Sequence, residues 1–105
     1  MAACHLEQAG LTILARNWRC REGEIDIVAR DRSAVVFVEV KTRNGRGYGL
    51  PVEAVTVAKV RRLRVLATRW LAENRPPYAD VRFDVVSVER QPDGAVAVTH
   101  LRDAF

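Results

Sequence analysis

The feature that most constrains the fold is an apolar run at 35–40, which reads VVFVEV and contains a single acid, Glu39. Successive side chains of a strand point to opposite faces, so this run is apolar on both of them. Such a strand needs a covering layer on each side. The sequence therefore predicts a central strand of an α/β sheet, with Glu39 where a charge is costly unless it is paired or bound to a metal.

A second apolar segment with acidic residues, 23–30, precedes this strand and contains Glu24 and Asp26. Three residues, 31–33, separate it from the segment 34–43, which is short enough for an antiparallel hairpin. Pairing the two strands is expected to bring Asp26 beside Glu39 and Lys41. Glu39 and Lys41 are two residues apart and should share a face, as should Glu24 and Asp26.

Two carboxylates at one point of a sheet suit a hard cation such as Mg²⁺ or Mn²⁺. A nearby lysine such as Lys41 can position or deprotonate a water molecule, or neutralise charge on a phosphate. The simpler alternative is a structural ion pair of Lys41 with Asp26 or Glu39. Residue types alone leave both interpretations open.

The remaining pattern predicts the order α-β-β-β-α-β-β in one domain, 1–105, with an α/β mixed central sheet flanked by helices. A helix is expected to end near Gly10, and Thr56 is expected to cap the helix 57–74. Leu11, Ile13 and Ala15 should share one face of the first strand. The other predicted segments are a strand at 11–18, a polar turn at 19–22, a glycine-rich loop at 44–49, a helical turn at 51–55, and strands at 81–89 and 95–100.

Positive charge is concentrated in one third of the chain. Residues 41–75 contain nine basic and two acidic residues, a net charge of +7, whereas the remainder has a net charge of −3. Arginine-rich surfaces bind phosphate oxygens, so this segment predicts a nucleic-acid face; the alternative is an ordinary solvated helix surface. The candidate phosphate-binding residues are Arg43, Arg46, Lys59, Arg61, Arg62, Arg64 and Arg69.

Other features narrow the class of protein. The two cysteines, Cys4 and Cys20, lack metal-ligand spacing and are expected to be free thiols. No segment has the length and hydropathy of a membrane span, and the N-terminus has no signal-peptide pattern. We therefore expect a cytoplasmic protein with no membrane partner. Asp84 lies among apolar neighbours and is expected to pair with a basic group.

Several blocks resemble the YraN-like family. Asp26, Glu39 and Lys41 also resemble the signature of the PD-(D/E)xK nucleases, in which an Asp is followed on the next strand by an acid-x-Lys. The resemblance covers nearly the whole chain. The blocks that resemble the YraN-like family are RNWR at 16–19, GEIDIVARD at 23–31, VFVEVKTR at 36–43, EAVT at 53–56, RFDVV at 82–86 and DAF at 103–105.

The resemblance implies a restriction-endonuclease-like core and a metal-dependent nuclease acting on DNA, including branched DNA. It implies that Asp26 and Glu39 bind Mg²⁺ with the backbone carbonyl of Val40, that Lys41 orients or activates water, and that Glu24 is an outer ligand or a positioning residue. The family usually has a helix glutamate upstream of Ala2, so we expect this chain to lack the start of its first helix.

Three functions follow as hypotheses. The first is a Mg²⁺-dependent (or Mn²⁺-dependent) endonuclease acting on DNA. The second is a nucleic-acid-binding module with an incomplete active site. The third is a structural domain in which the acids and the lysine form an ion-pair network. A homodimer would suit an enzyme that acts on junctions, although no spacing in the sequence specifies one.

Overall fold

The computed structural model describes residues 1–44, 56–77 and 80–105, which form one mixed sheet and two helices. The order of the elements agrees with the predicted one. The predicted turn at 51–55, all but the first residue of the loop at 44–49, and Arg46 lie outside the described residues. The elements are α1 (Ala2–Gln8), β1 (Thr12–Cys20), β2 (Gly23–Asp31), β3 (Ala34–Asn44), α2 (Val57–Asn74), β4 (Asp80–Arg90) and β5 (Val96–Leu101).

The five strands are hydrogen-bonded in chain order. Each neighbouring pair is antiparallel except β3 and β4, which are parallel along the whole of β3. Parallel neighbours need a crossover connection, and α2 lies in that connection. The sheet is therefore mixed, as the sequence predicts.

The central strand β3 is covered on both faces. Its residues Val35, Val36, Phe37 and Val38 have no exposed surface. Val36 and Val38 pack with Leu6 of α1 in one cluster, whereas Val35 and Phe37 pack against α2 in another. The apolar run at 35–40 thus has the covering layers that its sequence demands, one helix on each face.

Local signals set the limits of α2. Thr56 precedes it with extended backbone, and its hydroxyl accepts a hydrogen bond of 3.2 Å from the Lys59 N–H, as predicted for an N-cap. The helix ends at Arg75, which adopts a left-handed conformation (φ 41°) directly before two prolines that cannot continue it. Trp70 is buried against Phe37 with an edge-to-face ring contact of 5.8 Å.

Two predictions for β1 are wrong. The strand does not stop at Trp18 but runs to Cys20, which pairs with Gly23, so the predicted turn at 19–22 is only two residues long. A register shift between Ile13 and Ala15 also changes the face of the strand. Ile13 therefore packs on the α1 side and Ala15 on the α2 side, because a bulge breaks the two-residue alternation.

In the described part of the chain, neither helix combines the length and apolar character that crossing a membrane would require.

Candidate functional site

The sheet divides at one end, between β2 and β3. The register of these strands extends from Asp31 opposite Ala34 to Ile27 opposite Val38 and ends there. Beyond that point β2 stays paired with β1 as far as Gly23, while β3 stays paired with β4 along its whole length. We call this division the fork. The next residues beyond the last pair are Asp26 and Glu39, so the fork begins at the two predicted carboxylates.

The carboxylate of Asp26 lies inside the fork. Its Oδ2 atom accepts a hydrogen bond of 2.8 Å from the Val40 N–H on β3. The alternation of faces breaks at this position, because Ile25 packs on the α2 side although Ile27, two residues later, packs on the α1 side. Asp26 consequently lines clefts on both faces of the sheet. The simple alternation used for the sequence prediction could not have shown this.

The backbone of Val40 also faces the fork. In an extended strand the N–H and C=O groups of one residue point toward the same neighbouring strand. Because the Val40 N–H points to Asp26, its carbonyl oxygen points to the same side. Both backbone groups of Val40 are thus directed to the gap that Asp26 partly fills.

A cleft of about 240 Å³ opens on the α2 side of the fork. Carboxylates of the two strands form one part of its wall, and the first turns of α2 form the other. Lys41 lies beside it, with its Nζ atom 3.4 Å from Oε1 of Glu39. The residues that line the cleft are Glu24, Asp26, Glu39, Lys59, Arg62, Leu63 and Leu66.

Burial raises the pKa of the Asp26 carboxyl above its ordinary value of 3.8, and the Glu39 and Glu24 carboxylates raise it further. The Val40 N–H and the Lys41 ammonium act in the opposite direction. The causes that raise the Asp26 pKa outweigh those that lower it, because the carboxyl is half-buried among other acids. A cation placed at the fork would relieve this unfavourable charge.

Glu24 has a partner of its own. Its Oε2 atom accepts a hydrogen bond of 2.7 Å from Nε of Arg19 on β1. Glu24 is close enough to raise the pKa of Asp26, but its carboxylate is directed at least in part to this arginine. The sequence prediction did not include Arg19, since the turn expected at 19–22 would have removed it from the strand.

Lys59 brings a second ammonium to the cleft. The neighbouring Lys41 ammonium is the main cause that lowers the pKa of Lys59, followed by desolvation, while Glu39 acts in the opposite direction. Lys41 and Lys59 are therefore neighbours, although one lies on β3 and the other on α2. Because like charges this close are unfavourable, this corner attracts anions.

The other predicted phosphate-binding residues of α2 differ in their surroundings. Arg61 is exposed, and Arg64 lies 5.4 Å from the centre of the Phe83 ring. Arg69 donates to Glu22 at 2.8 Å and to Glu73 at 3.2 Å. Of the basic residues predicted on α2, only Lys59 and Arg62 are brought to the cleft in the part of the chain that the structure describes.

The donor set at the fork fits a small hard cation in chemical type. Asp26, Glu39 and the Val40 carbonyl offer oxygen ligands, which Mg²⁺ and Mn²⁺ prefer. Within residues 1–44, 56–77 and 80–105, however, no three His, Cys, Asp or Glu side chains form a group that could hold a metal ion. Any cation held here would rely on the two carboxylates, backbone oxygen and water.

A second polar cluster lies around Asp84 of β4, which is paired in register with Val38 of β3. This carboxylate has no exposed surface and accepts hydrogen bonds from Nε and Nη2 of Arg82, at 2.9 and 3.0 Å. His100 Nε2 lies 2.7 Å from it, and the Asp103 N–H donates to it at 2.9 Å. The Asp31 carboxylate accepts hydrogen bonds from Arg82 and Arg102, each at 2.8 Å. The predicted pairing of Asp84 with a basic group is confirmed, and the remaining partners were not predicted.

Comparison with known proteins agrees with the sequence blocks described above. Residues 1–88 match the model of a family described as uncharacterised protein family UPF0102. A UPF0102 protein of Parafrankia sp. (strain EAN1pec) is 57% identical over 105 residues, which cover 100% of this chain and 89% of that protein. Corresponding proteins of Nocardia farcinica and Rhodococcus opacus are 52% and 50% identical, covering 83% and 89% of their lengths and the whole of this chain. The chain therefore belongs to the UPF0102 family, which is the YraN-like family.

Proposed function

We propose that this protein is a metal-dependent nuclease of the PD-(D/E)xK type that hydrolyses DNA phosphodiesters at the fork. The observation that carries the proposal is the meeting of Asp26, Glu39 and Lys41 at one point, where two strands of a buried sheet separate. Structural carboxylates are usually surrounded by donors, as Asp84 is. Asp26 instead lines an open cleft beside a second carboxylate.

In this proposal Asp26, Glu39 and the carbonyl of Val40 would hold Mg²⁺ or Mn²⁺. The bound cation would stabilise charge on the phosphate and lower the pKa of a water molecule. The raised pKa of Asp26 supports a cation at this position, because burial and the neighbouring carboxylates leave its negative charge poorly compensated. Glu24 acts from outside this set, as a positioning residue held by Arg19.

Lys41 acts on the attacking water. Its ammonium is next to Glu39, so it can orient a water molecule in the cleft or neutralise charge on the phosphate. One water molecule is consumed in the reaction. Its oxygen forms a bond to phosphorus, the bond from phosphorus to one sugar oxygen breaks, and its protons end on the phosphate and on the released hydroxyl.

Basic residues around the cleft would hold the DNA backbone. The segment 41–75 carries a net charge of +7, and contacts to phosphate do not depend on base sequence. We assign this role to Arg43 of β3, to Arg46, which follows this strand in the sequence, and to the basic residues of α2. The restriction-endonuclease-like core implied by the sequence resemblance agrees with the mixed sheet and the order of its elements.

The test is to incubate the protein with labelled linear, flap and four-way-junction DNA in Mg²⁺, Mn²⁺ or EDTA. We expect metal-dependent cleavage, reduced on the order of 1000-fold by Lys41→Ala, because this change removes the group that acts on water. DNA binding should change little. The control is Arg75→Ala, which removes a basic residue at the far end of α2 and should leave the rate unchanged. Cleavage by Lys41→Ala at the wild-type rate would contradict the assignment.

A second candidate function is nucleic-acid binding without hydrolysis. It is favoured by the small number of acidic ligands, since the described residues contain no group of three metal-ligating side chains and Glu24 is paired with Arg19. This function predicts salt-dependent DNA binding with no cleavage in any metal. The same incubation, combined with a binding assay at two salt concentrations, separates the two functions.

A further inference from the structure

The use of lysine in this chain is unusual. Its seventeen basic residues comprise fifteen arginines and two lysines, Lys41 and Lys59. Although they are far apart in the sequence, both lysines lie near Glu39, since Nζ of Lys41 is 3.4 Å from its Oε1 atom and Lys59 lines the cleft together with it. The only lysines of an arginine-rich chain thus meet beside Asp26 and Glu39. A lysine ammonium is compact and has three donors, so it can approach one oxygen more closely than a planar guanidinium can.

The two side chains reach the cleft from different elements. Lys41 extends from β3, on the same face as Glu39. Lys59 lies in the first turn of α2, where its backbone N–H is fixed by the Thr56 hydroxyl. Its side chain lines the cleft opposite Asp26 and Glu39. The N-cap therefore fixes the backbone from which Lys59 extends toward the carboxylates.

The charges at this corner favour an anion. The Lys41 and Lys59 ammonium groups repel each other, and the first turn of α2 contains no acid to offset them. The free N–H groups of a helix N-terminus add further positive potential. Glu39 compensates part of the charge through Lys41. A phosphate between the two ammonium groups would replace their repulsion by two favourable contacts.

Of the other basic residues of α2, Arg62 also lines the cleft, whereas three arginines do not. Arg61 is exposed, Arg64 lies over the Phe83 ring, and Arg69 is paired with two glutamates. These three arginines are not among the residues that line the cleft. Lys59, by contrast, lies beside the lysine that is proposed to act on water.

We propose that Lys59 is a second catalytic lysine, which holds a non-bridging oxygen of the scissile phosphate together with Lys41. The inference rests on the proposed function and extends it. Lys59 would stabilise the negative charge that remains on the phosphate while the phosphorus–oxygen bonds are exchanged. Ammonium contacts to phosphate do not depend on the identity of the base, so the two lysines can bind the phosphate of any phosphodiester.

The first test uses the fact that the chain has only two lysines. Protein labelled with ¹³C-lysine gives two side-chain Cε signals, which Lys59→Arg assigns. We expect both signals to shift with one common Kd when a thymidine dinucleotide monophosphate is added in EDTA. Thymidine, which lacks the phosphate, is the ligand control and should shift neither signal. A shift of Lys41 alone, or of neither lysine, would overturn the inference.

The second test separates a catalytic role from simple attachment of DNA. Single-turnover cleavage is measured at saturating protein for Lys59→Ala, Lys59→Arg and the matched control Arg61→Ala. Lys59→Ala should lower the saturated rate by about 100-fold with little change in Kd, and Lys59→Arg should restore part of it. Arg61→Ala should weaken binding only, with a smaller salt dependence.

The outcomes distinguish this inference from the function on which it rests. If the wild-type protein cleaves DNA and Lys59→Ala changes only the Kd, Lys59 is an attachment residue and the proposed function survives. If the wild-type protein cleaves nothing, the proposed function fails. A common shift of both lysine signals would then still show that they hold a phosphate, whereas its absence would remove the inference as well.

Discussion

Two aspartates of the sheet, one fully buried and one half-buried, have opposite surroundings. Asp84, on β4, is fully buried and surrounded by Arg82, His100 and the Asp103 N–H. Asp26, at the fork, accepts the Val40 N–H and otherwise lies among carboxylates at an open cleft. A carboxylate surrounded by donors stabilises the fold, whereas one that lacks them is available to a ligand.

The pKa shifts of the two sites reflect the different surroundings of Asp84 and Asp26. Hydrogen bonding to Arg82 lowers the pKa of Asp31 in the Asp84 cluster, and the pKa of Arg82 is raised mainly by Asp84. At the fork, burial and neighbouring acids raise the pKa of Asp26. The charges of the Asp84 cluster thus compensate one another, while those of the fork are left partly uncompensated. The same residue type is structural in one place and a candidate ligand in the other.

The largest effect is expected from removing the structural carboxylate. Asp84→Ala leaves Arg82 partly buried without its main partner, and breaking a buried ion pair from one side costs about 3–5 kcal/mol. Urea unfolding should show this loss in the free energy of unfolding. Asp80→Ala, an exposed change on the same strand, is the control and should alter it by less than about 0.5 kcal/mol. Equal effects of the two changes would remove the distinction between the clusters.

A smaller effect of opposite sign is expected at the fork. The raised pKa of Asp26 means that the folded state binds its proton more tightly than the unfolded state does, so this group's contribution to stability is lost as the pH rises through its folded pKa. Asp26→Asn keeps a carbonyl oxygen for the Val40 N–H and removes the charge. The variant should be more stable than the wild type at neutral pH.

The pH dependence of this difference provides the check. The advantage of Asp26→Asn should shrink as the pH falls toward the ordinary value of 3.8, where the wild-type carboxyl is protonated as well. Unfolding curves measured across this range follow it directly. If Asp26→Asn were instead less stable at neutral pH, Asp26 would be a structural ion-pair member like Asp84.

Much of the scaffold could be predicted from local patterns. The apolar run at 35–40 identified the central strand, and Thr56 identified the start of α2, because each depends on neighbouring residues alone. The bulge near Ile13 and the change of face at Asp26 were not predicted. Both depend on the register between neighbouring strands. The alternation of residues within one strand gives no information on that register.

The composition of the site could be predicted only in part. Asp26, Glu39 and Lys41 follow from the hairpin, since a short turn fixes which residues oppose each other. The place of Lys59 beside Lys41 depends on the packing of α2 against the sheet, and the Asp84 cluster joins Asp31 to Arg82 from distant strands. Contacts of this range are set by the tertiary fold and leave no periodic signal in the sequence.

The central claim is that the fork binds a cation and the Asp84 cluster does not. The most direct test is a Mn²⁺ titration, followed by electron paramagnetic resonance, of the wild type, Asp26→Asn and the control Asp80→Asn. We predict one Mn²⁺ per chain for the wild type and the control, with affinity weakened at least about tenfold in Asp26→Asn. No binding by the wild type, or equal binding by Asp26→Asn, would contradict the account.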